Sequence, residues 1–215
     1  MKRTTLDPFV GYVIVFHLAW AAWPFFLYPK LIAVDETTLA YAWLNISIRL
    51  FVWVAPVFLY LRYVDRVDPF AFLKLKGQIG RGVMVALGLT ALNLTGMTLR
   101  FGAPHPSMVR ITWNSVLGTS LLIGLIEEIP YRGFMLQKFA ARGGFWVGNL
   151  ITSVLFLAVH VPGWIALHAM RVDTVITIFI FGFLMGIVFK YSDSLWAAAV
   201  THSTNDFLSF VLFRL

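Results

Sequence analysis

Glutamate is scarce in this chain, and its placement marks the first residues that could do chemistry. Only three of the 215 residues are Glu: Glu127 and Glu128 are adjacent in an apolar segment, and Glu36 lies elsewhere. On a helix, Glu128 and Arg132 share a face, with the acid in the favourable N-terminal position. Glu127 points about 100° away, and no cation nearby in sequence is placed to pair with it. We therefore expect an ion-paired Glu128 and a Glu127 that is available as a general base.

Two histidines and an acid form the second group. His160 closes an apolar segment, and His202 stands three residues before Asn205 and four before Asp206. The last three side chains share one helical face. A carboxylate or amide there can fix the imidazole tautomer, and an amide can donate to an oxyanion. The alternatives are an interfacial His160 and a polar seam around His202 that only holds helices together.

Arg49 and His17 also lie in apolar segments, where a charge near the bilayer centre costs roughly 2.5–3.5 kcal/mol. We expect His17 to be packed or to line a cavity, without chemistry. Arg49 must have a partner, which the sequence does not identify. One alternative makes it the second cation of a purely structural ion-pair cluster around Glu127 and Glu128. Because intramembrane ionisable residues are functional by default, we favour a shared site.

The elements that position these residues are membrane helices. The chain is 60% hydrophobic and 13% charged, with a mean hydropathy of +0.81. Soluble domains average about 45–50% apolar residues and about 25% charged residues. This composition excludes an ordinary soluble enzyme and a disordered chain. Without Cys, a disulfide, a thiolate nucleophile and a Cys-ligated metal are excluded. We expect an all-α, polytopic transmembrane helix bundle that forms one membrane domain over residues 1–215.

The bundle is expected to have about seven spans, within a range of six to eight, because each crossing needs roughly 20 apolar residues. A short interfacial helix is predicted near 69–77, where a Pro begins the segment and lysines follow. The predicted spans are 9–28, 39–63, 82–99, 111–139, 145–161, 174–191 and 195–213.

The net charge of +7 is explained by membrane topology better than by nucleic acid binding. If the N-terminus is cytoplasmic, ten basic residues fall in inner segments and five in outer segments, and the other two lie within spans. We therefore predict a cytoplasmic N-terminus and an outer C-terminus. The inner residues are Lys2, Arg3, Arg62, Arg66, Lys74, Lys76, Arg81, Lys138, Arg142 and Lys190, and the outer ones are Lys30, Arg100, Arg110, Arg171 and Arg214.

Together these residues resemble the CPBP family, also called Abi, the glutamic intramembrane endopeptidases that include the CAAX prenyl protease of the Rce type. Its motifs are EExxxR, FxxxH, and a His followed four residues later by Asn or Asp. In that order they are matched by Glu127, Glu128, Arg132, Phe156, His160, His202 and Asp206. Residues 1–110 match no motif and correspond to the part in which family members vary, so 111–215 is expected to be the motif-bearing catalytic core.

The resemblance implies an intramembrane endopeptidase that hydrolyses a peptide bond near the membrane without a metal or other cofactor. Glu127 would activate a water for attack on the peptide carbonyl, and His160 would help to bind or activate that water. His202 with Asp206 would stabilise the oxyanion. The expected partners are a membrane-associated protein or peptide substrate and the lipid bilayer, with no nucleic acid.

The resemblance also implies that the Glu128–Arg132 pair holds the base in place. One position departs from the prenyl protease, since Asp206 stands where that enzyme has Asn. The oxyanion donor is then either a protonated Asp206 or the neighbouring Asn205.

Three other function classes stay open. A zinc protease could use the two His and the carboxylates, although no HExxH motif is present. A transporter or proton relay also uses intramembrane acids and His, but no repeat between the two halves is visible. A non-catalytic Abi-type binding or immunity protein is the third. The substrate, a prenylated tail, a C-terminal sorting segment or a bacteriocin precursor, stays open, as does the oligomeric state. A compact chain of this kind suggests a prokaryotic inner membrane.

Overall fold

The fold is described from a computed structural model over residues 7–31, 34–106 and 111–213. These ranges contain eight helices and no strand. The helices are α1 (Pro8–Leu27, continued by Tyr28–Leu31), α2 (Leu39–Val64), α3 (Pro69–Phe72), α4 (Ile79–Phe101), α5 (114–143), α6 (Phe145–Ala166), α7 (Val172–Ser192) and α8 (195–213).

Five helices are long and apolar enough to cross a membrane, namely α1, α2, α4, α6 and α7. The other two long helices, α5 and α8, carry the polar motif residues, which lower their hydropathy. The predicted all-α membrane bundle is confirmed, whereas the count of seven crossings stays a prediction.

Polar side chains fix where several helices begin. The Asp7 carboxylate accepts a hydrogen bond from the Phe9 N–H (2.8 Å) just before α1. Thr38 Oγ1 accepts one from the Tyr41 N–H (3.2 Å) at the start of α2. Such N-caps satisfy backbone donors that have no partner within the helix.

Helix α3, which is predicted to be interfacial, is shorter than expected. It begins at Pro69, as expected, but ends at Phe72 rather than near residue 77. Lys74 adopts φ = 55°, a left-handed conformation that cannot continue a right-handed helix. The predicted extent of this helix is therefore wrong at its C-terminal end.

Contacts at one end of the bundle show how the long helices run. They join the start of α1, the end of α2, the start of α4, the end of α5 and the end of α7, so consecutive long helices alternate in direction. The contacts are Arg142 with Asp7 (2.6 Å), Lys138 with Asp65 (2.9 Å), Arg81 with the carbonyl of Tyr191 (3.1 Å), and Lys74 with Asp193.

The predicted inner segments that the structure describes thus lie together. Lys2, Arg3, Arg110 and Arg214 lie outside the described residues. The cytoplasmic side of this end stays a prediction.

Helices α5 and α6 are interrupted beside the motif residues. A turn at Leu122 divides α5, and after Glu128 its backbone changes to i→i+5 hydrogen bonding over Ile129–Leu136. Pro130 lies at the start of this stretch and has no N–H to donate. The fifth span was predicted to end at residue 161, but α6 turns at 159–160 and continues as Val161–Ala166.

An aromatic cluster fixes α1 and α2 against α5. The Trp20 and Trp53 rings stack with centroids 3.7 Å apart, and the Trp20 centroid is 6.3 Å from that of Tyr131. Tyr131 is fully buried and lies one helical turn after Glu127. The cluster therefore places the N-terminal helices beside the motif-bearing part of α5.

Candidate active site

Glycine allows α5 and α8 to meet at the level of the motifs. A Cβ atom on Gly124 would collide with the carbonyl oxygen of Ala199 and lie 2.8 Å from the Ser203 nitrogen. The Ser203 hydroxyl also donates to the carbonyl of Leu121 (2.8 Å). Small residues at such crossings let helix backbones approach closely in membranes. Because Gly124 lies one turn before Glu128, this contact brings the first motif onto the helix that carries the third.

The predicted Glu128–Arg132 pair is confirmed. Arg132 Nη1 donates to Glu128 Oε1 at 2.9 Å, and the two side chains are 1% and 0% exposed. Arg132 Nη2 donates to the carbonyl of Gly182 at 2.7 Å, and Cζ lies 4.4 Å from the centroid of the Phe156 ring. Arg132 therefore links α5 to α6 and α7.

Gly182 is a site residue that the sequence analysis missed. A Cβ there would lie 3.1 Å from Phe156 Cδ1 and 3.3 Å from Arg132 Nη2. A small residue in an apolar helix carries no chemical signal, so a search for ionisable groups passes over it. The neighbouring Phe181 ring also packs on the His202 ring, with centroids 4.9 Å apart.

His202 is oriented by Glu128. Its Nδ1 lies 2.7 Å from Glu128 Oε1, and since the Glu128 carboxylate accepts, Nδ1 carries the hydrogen. The other ring nitrogen, Nε2, faces Glu127 Oε2 at 3.9 Å and Asp206 Oδ2 at 3.7 Å. From the sequence, Asp206 or Asn205 is expected to fix the tautomer of His202, whereas in the structure Glu128 makes this contact.

His160 joins the site through Phe156. His160 Nδ1 lies 2.7 Å from the Phe156 carbonyl oxygen, so Nδ1 donates and Nε2 is left as an acceptor. The Phe156 ring centroid lies 5.0 Å from the His160 ring and 6.0 Å from the His202 ring. Both histidine rings therefore contact the Phe156 ring, and His160 is partly buried at the turn in α6.

Asn205 and Asp206 are held from α4. Asn205 Nδ2 donates to Asp206 Oδ1 (3.2 Å), and Asn205 Oδ1 accepts from Asn93 Nδ2 (2.9 Å). Asn93 was missed because its helix, α4, carries none of the motifs. The one signal for Asn93 in the sequence is that its amide lies within an apolar segment.

Exposure increases in one direction across the cluster. Glu128 is sealed, whereas the side chains of His202, Glu127 and Asp206 are 5%, 9% and 17% exposed. The cluster thus has a closed side at Glu128 and a more open side at Asp206. In the part of the chain that the structure describes, no three His, Asp or Glu side chains are arranged to hold a metal ion.

His17 lines a groove of about 420 Å³ between α1 and α6, together with apolar residues such as Val13, Ala158 and Pro162. Its Nδ1 donates to the Val13 carbonyl (2.7 Å), and Nε2 lies 3.4 Å from the Tyr131 hydroxyl. The prediction that His17 is packed or lines a cavity is confirmed.

Residues 108–208 match the family model described as type II CAAX prenyl endopeptidase Rce1-like. The matched range contains every residue that the sequence analysis placed in the site. The chain carries an Rce1-like region. This match confirms the resemblance to the CPBP family. Residues 1–107 and 209–215 lie outside the Rce1-like match. No curated protein and no solved structure matches the chain.

Proposed function

We propose that this protein is an intramembrane endopeptidase in which Glu127 activates a water that attacks a peptide bond near the membrane. The Rce1-like match and the apolar helices make it an integral membrane protein of a protease type that acts on peptide substrates. One observation carries the finer proposal. Glu127, Glu128 and Asp206 surround His202, and the Phe156 ring lies against both His202 and His160. We place the protein in a prokaryotic inner membrane with a cytoplasmic N-terminus, and the catalytic core in residues 111–215.

Glu127 is the carboxylate best placed to act as the base. In the described part of the chain no hydrogen bond occupies its oxygens, and its nearest ion-pair partner, His202 Nε2, lies 3.9 Å away. In the proposed step Glu127 takes a proton from water as the oxygen attacks the carbonyl carbon. The same proton then passes to the leaving nitrogen as the C–N bond breaks, which yields a carboxylic acid and an amine.

His202 supplies the donor to the oxyanion in this proposal. Glu128 holds the Nδ1 hydrogen, so a proton on Nε2 points into the space between Glu127 and Asp206. The imidazolium formed in this way stabilises negative charge on the carbonyl oxygen. Asp206 then balances the charge of the ring and does not donate, and the Asn205 amide, already engaged with Asp206, orients that carboxylate.

Glu128, Arg132 and His160 have supporting roles. The sealed Glu128–Arg132 pair fixes His202 from the closed side of the site. The free Nε2 of His160 accepts a hydrogen bond from the attacking water, which orients the lone pair of the water oxygen toward the carbonyl carbon. We propose that the reaction needs no metal ion.

The function is tested in cells by comparing membrane-bound and released protein fragments in a deletion strain of the source organism. The strain is complemented with the wild type, with Glu127→Gln or with Glu36→Gln. Glu36 is the matched control because it is the third Glu of the chain and is exposed outside the helices. We expect the same released fragments with wild type and Glu36→Gln, and none with Glu127→Gln. Release by Glu127→Gln at the wild-type level would contradict the proposal.

A further inference from the structure

Helix α2 carries a buried polar face that the proposed mechanism does not use. Asn45, Arg49 and Trp53 are four residues apart and therefore line one side of the helix. Asn45 and Trp53 are 3% and 2% exposed, and Arg49 is partly buried. Each has a buried polar atom without a hydrogen-bond partner, namely Asn45 Oδ1, Arg49 Nε and Trp53 Nε1.

This face of α2 is turned toward the base. At one end, Asn45 Nδ2 donates to Asn114 Oδ1 in α5 (2.9 Å). At the other end, Trp20 touches both Trp53 and Tyr131, and Tyr131 lies one turn after Glu127. Arg49 lies between these two contacts, on the side of α2 that faces α5.

Among the residues that the structure describes, the guanidinium of Arg49 has an aromatic neighbour but no ion-pair partner. Its Cζ lies 5.3 Å from the centroid of the Trp53 ring. No carboxylate of residues 7–31, 34–106 or 111–213 lies within 4 Å of it, and Glu127 is the acid that acts on its charge over a longer distance. Arg cannot lose its proton in a protein, and buried polar groups are nearly always partnered in native structures. A free N–H on such a group can donate to an anionic ligand.

We infer that Arg49, with Asn45 and Trp53, binds a carboxylate of the substrate beside Glu127. The planar fork of a guanidinium matches a carboxylate, and the Trp53 N–H adds a second donor. Asn45 Oδ1 accepts a peptide N–H of the same segment. The carboxylate comes either from the C-terminus of the substrate or from an acidic side chain. Its placement next to the cleaved bond rests on the proposed function.

These three residues lie outside the Rce1-like match, which begins at residue 108. The subsite is therefore built by this chain's own N-terminal helices. It would discriminate between peptides that the motif residues of α5, α6 and α8 bind equally well.

Equilibrium binding tests the inference without requiring cleavage. The Glu127→Gln protein in nanodiscs is titrated with three fluorescein-labelled heptapeptides of Ala, Val and Leu. The first has a free C-terminus, the second is its C-terminal amide, and the third is the amide with one internal Glu. We expect the first or the third to bind at least tenfold more tightly than the second, which identifies the source of the carboxylate.

The same titrations are repeated with Arg49→Gln, Arg49→Lys and Arg100→Gln in that background. Arg100 is the matched control because it is exposed at the end of α4. Arg49→Gln should abolish the preference, Arg49→Lys should keep part of it, and Arg100→Gln should leave it unchanged. Equal binding of the three peptides to the parent protein, or a preference that survives Arg49→Gln, would overturn the inference. Selective peptide binding together with an absence of cleavage by the wild-type protein would instead contradict the proposed function and leave the inference standing.

Discussion

Replacing Gly124 by Ala should force α5 and α8 apart. It should thereby displace Glu128 relative to His202, although Gly124 itself touches neither of the proposed reacting groups. The new Cβ would collide with the Ala199 carbonyl oxygen and lie 2.8 Å from the Ser203 nitrogen. Since non-bonded heavy atoms prefer separations of roughly 3.5 Å or more, the helices must separate by about 1.4 Å to clear the Ala199 carbonyl oxygen. Both obstacles belong to backbone, so a side-chain rotation cannot relieve them.

Two consequences of Gly124→Ala can be given magnitudes. Overpacking of this kind costs about 1–3 kcal/mol, and in a chain of this size 1 kcal/mol lowers the melting temperature by about 2–4 °C. We therefore expect a decrease of roughly 2–12 °C. The 2.7 Å contact between Glu128 and His202 crosses this helix pair, and a displacement near 1 Å can cost on the order of 10²-fold in rate.

The assay combines thermal unfolding in detergent with peptide cleavage, and Gly88→Ala is the matched control. Gly88 is exposed in α4, and a Cβ there would meet nothing within 4 Å. Ala is favoured over Gly in a helix by about 1 kcal/mol, so the control should melt at or above the wild-type temperature with full activity. If Gly124→Ala behaves like Gly88→Ala, the close contact between α5 and α8 is not present in the protein.

Three further predictions concern the same cluster. Arg132→Gln leaves the Glu128 carboxylate buried without its cation, so the free energy of unfolding should fall by about 3–5 kcal/mol. Arg132→Lys should lower it less. Equal melting temperatures for Arg132→Gln and wild type would contradict the buried ion pair. His160→Gln should lower the cleavage rate at least 10²-fold while the melting temperature stays within about 2 °C. The reason is that the ring is partly exposed and that, among the described residues, its hydrogen bond is to its own helix. A large fall in the melting temperature would make His160 structural. Exhaustive treatment with a zinc chelator should leave cleavage unchanged, and activity lost on chelation and restored by zinc would favour a metalloprotease.

Local features of the site could be predicted from the sequence because they depend on spacing along one helix. The Glu128–Arg132 pair follows from the i,i+4 spacing of the two residues on one helix, and the structure contains it as expected. Helix starts such as Asp7 followed by Pro8 also carry their own signals. Hydrophobic length located the membrane helices to within a few residues, except where a turn at 159–160 let α6 continue.

Contacts between distant segments could not be predicted from one sequence. Glu128 and His202 are 74 positions apart, and the rotation of each helix decides whether Glu128 or Asp206 reaches the Nδ1 nitrogen. Gly124 and Gly182 act through the absence of a side chain, so nothing in their chemistry marks them. The sequence predicts that Arg49 needs a partner, but only the packing of α2 against α5 shows which helix this side of α2 faces.

The central claim, that Glu127 is the base, is tested most directly by the single-turnover cleavage rate of purified protein in proteoliposomes. The substrate is a membrane-proximal peptide identified from the fragment comparison. Glu127→Gln should reduce this rate at least 10³-fold, within the range of a lost general base, while its melting temperature stays near that of wild type. Cleavage by a folded Glu127→Gln protein at the wild-type rate would contradict the glutamic mechanism.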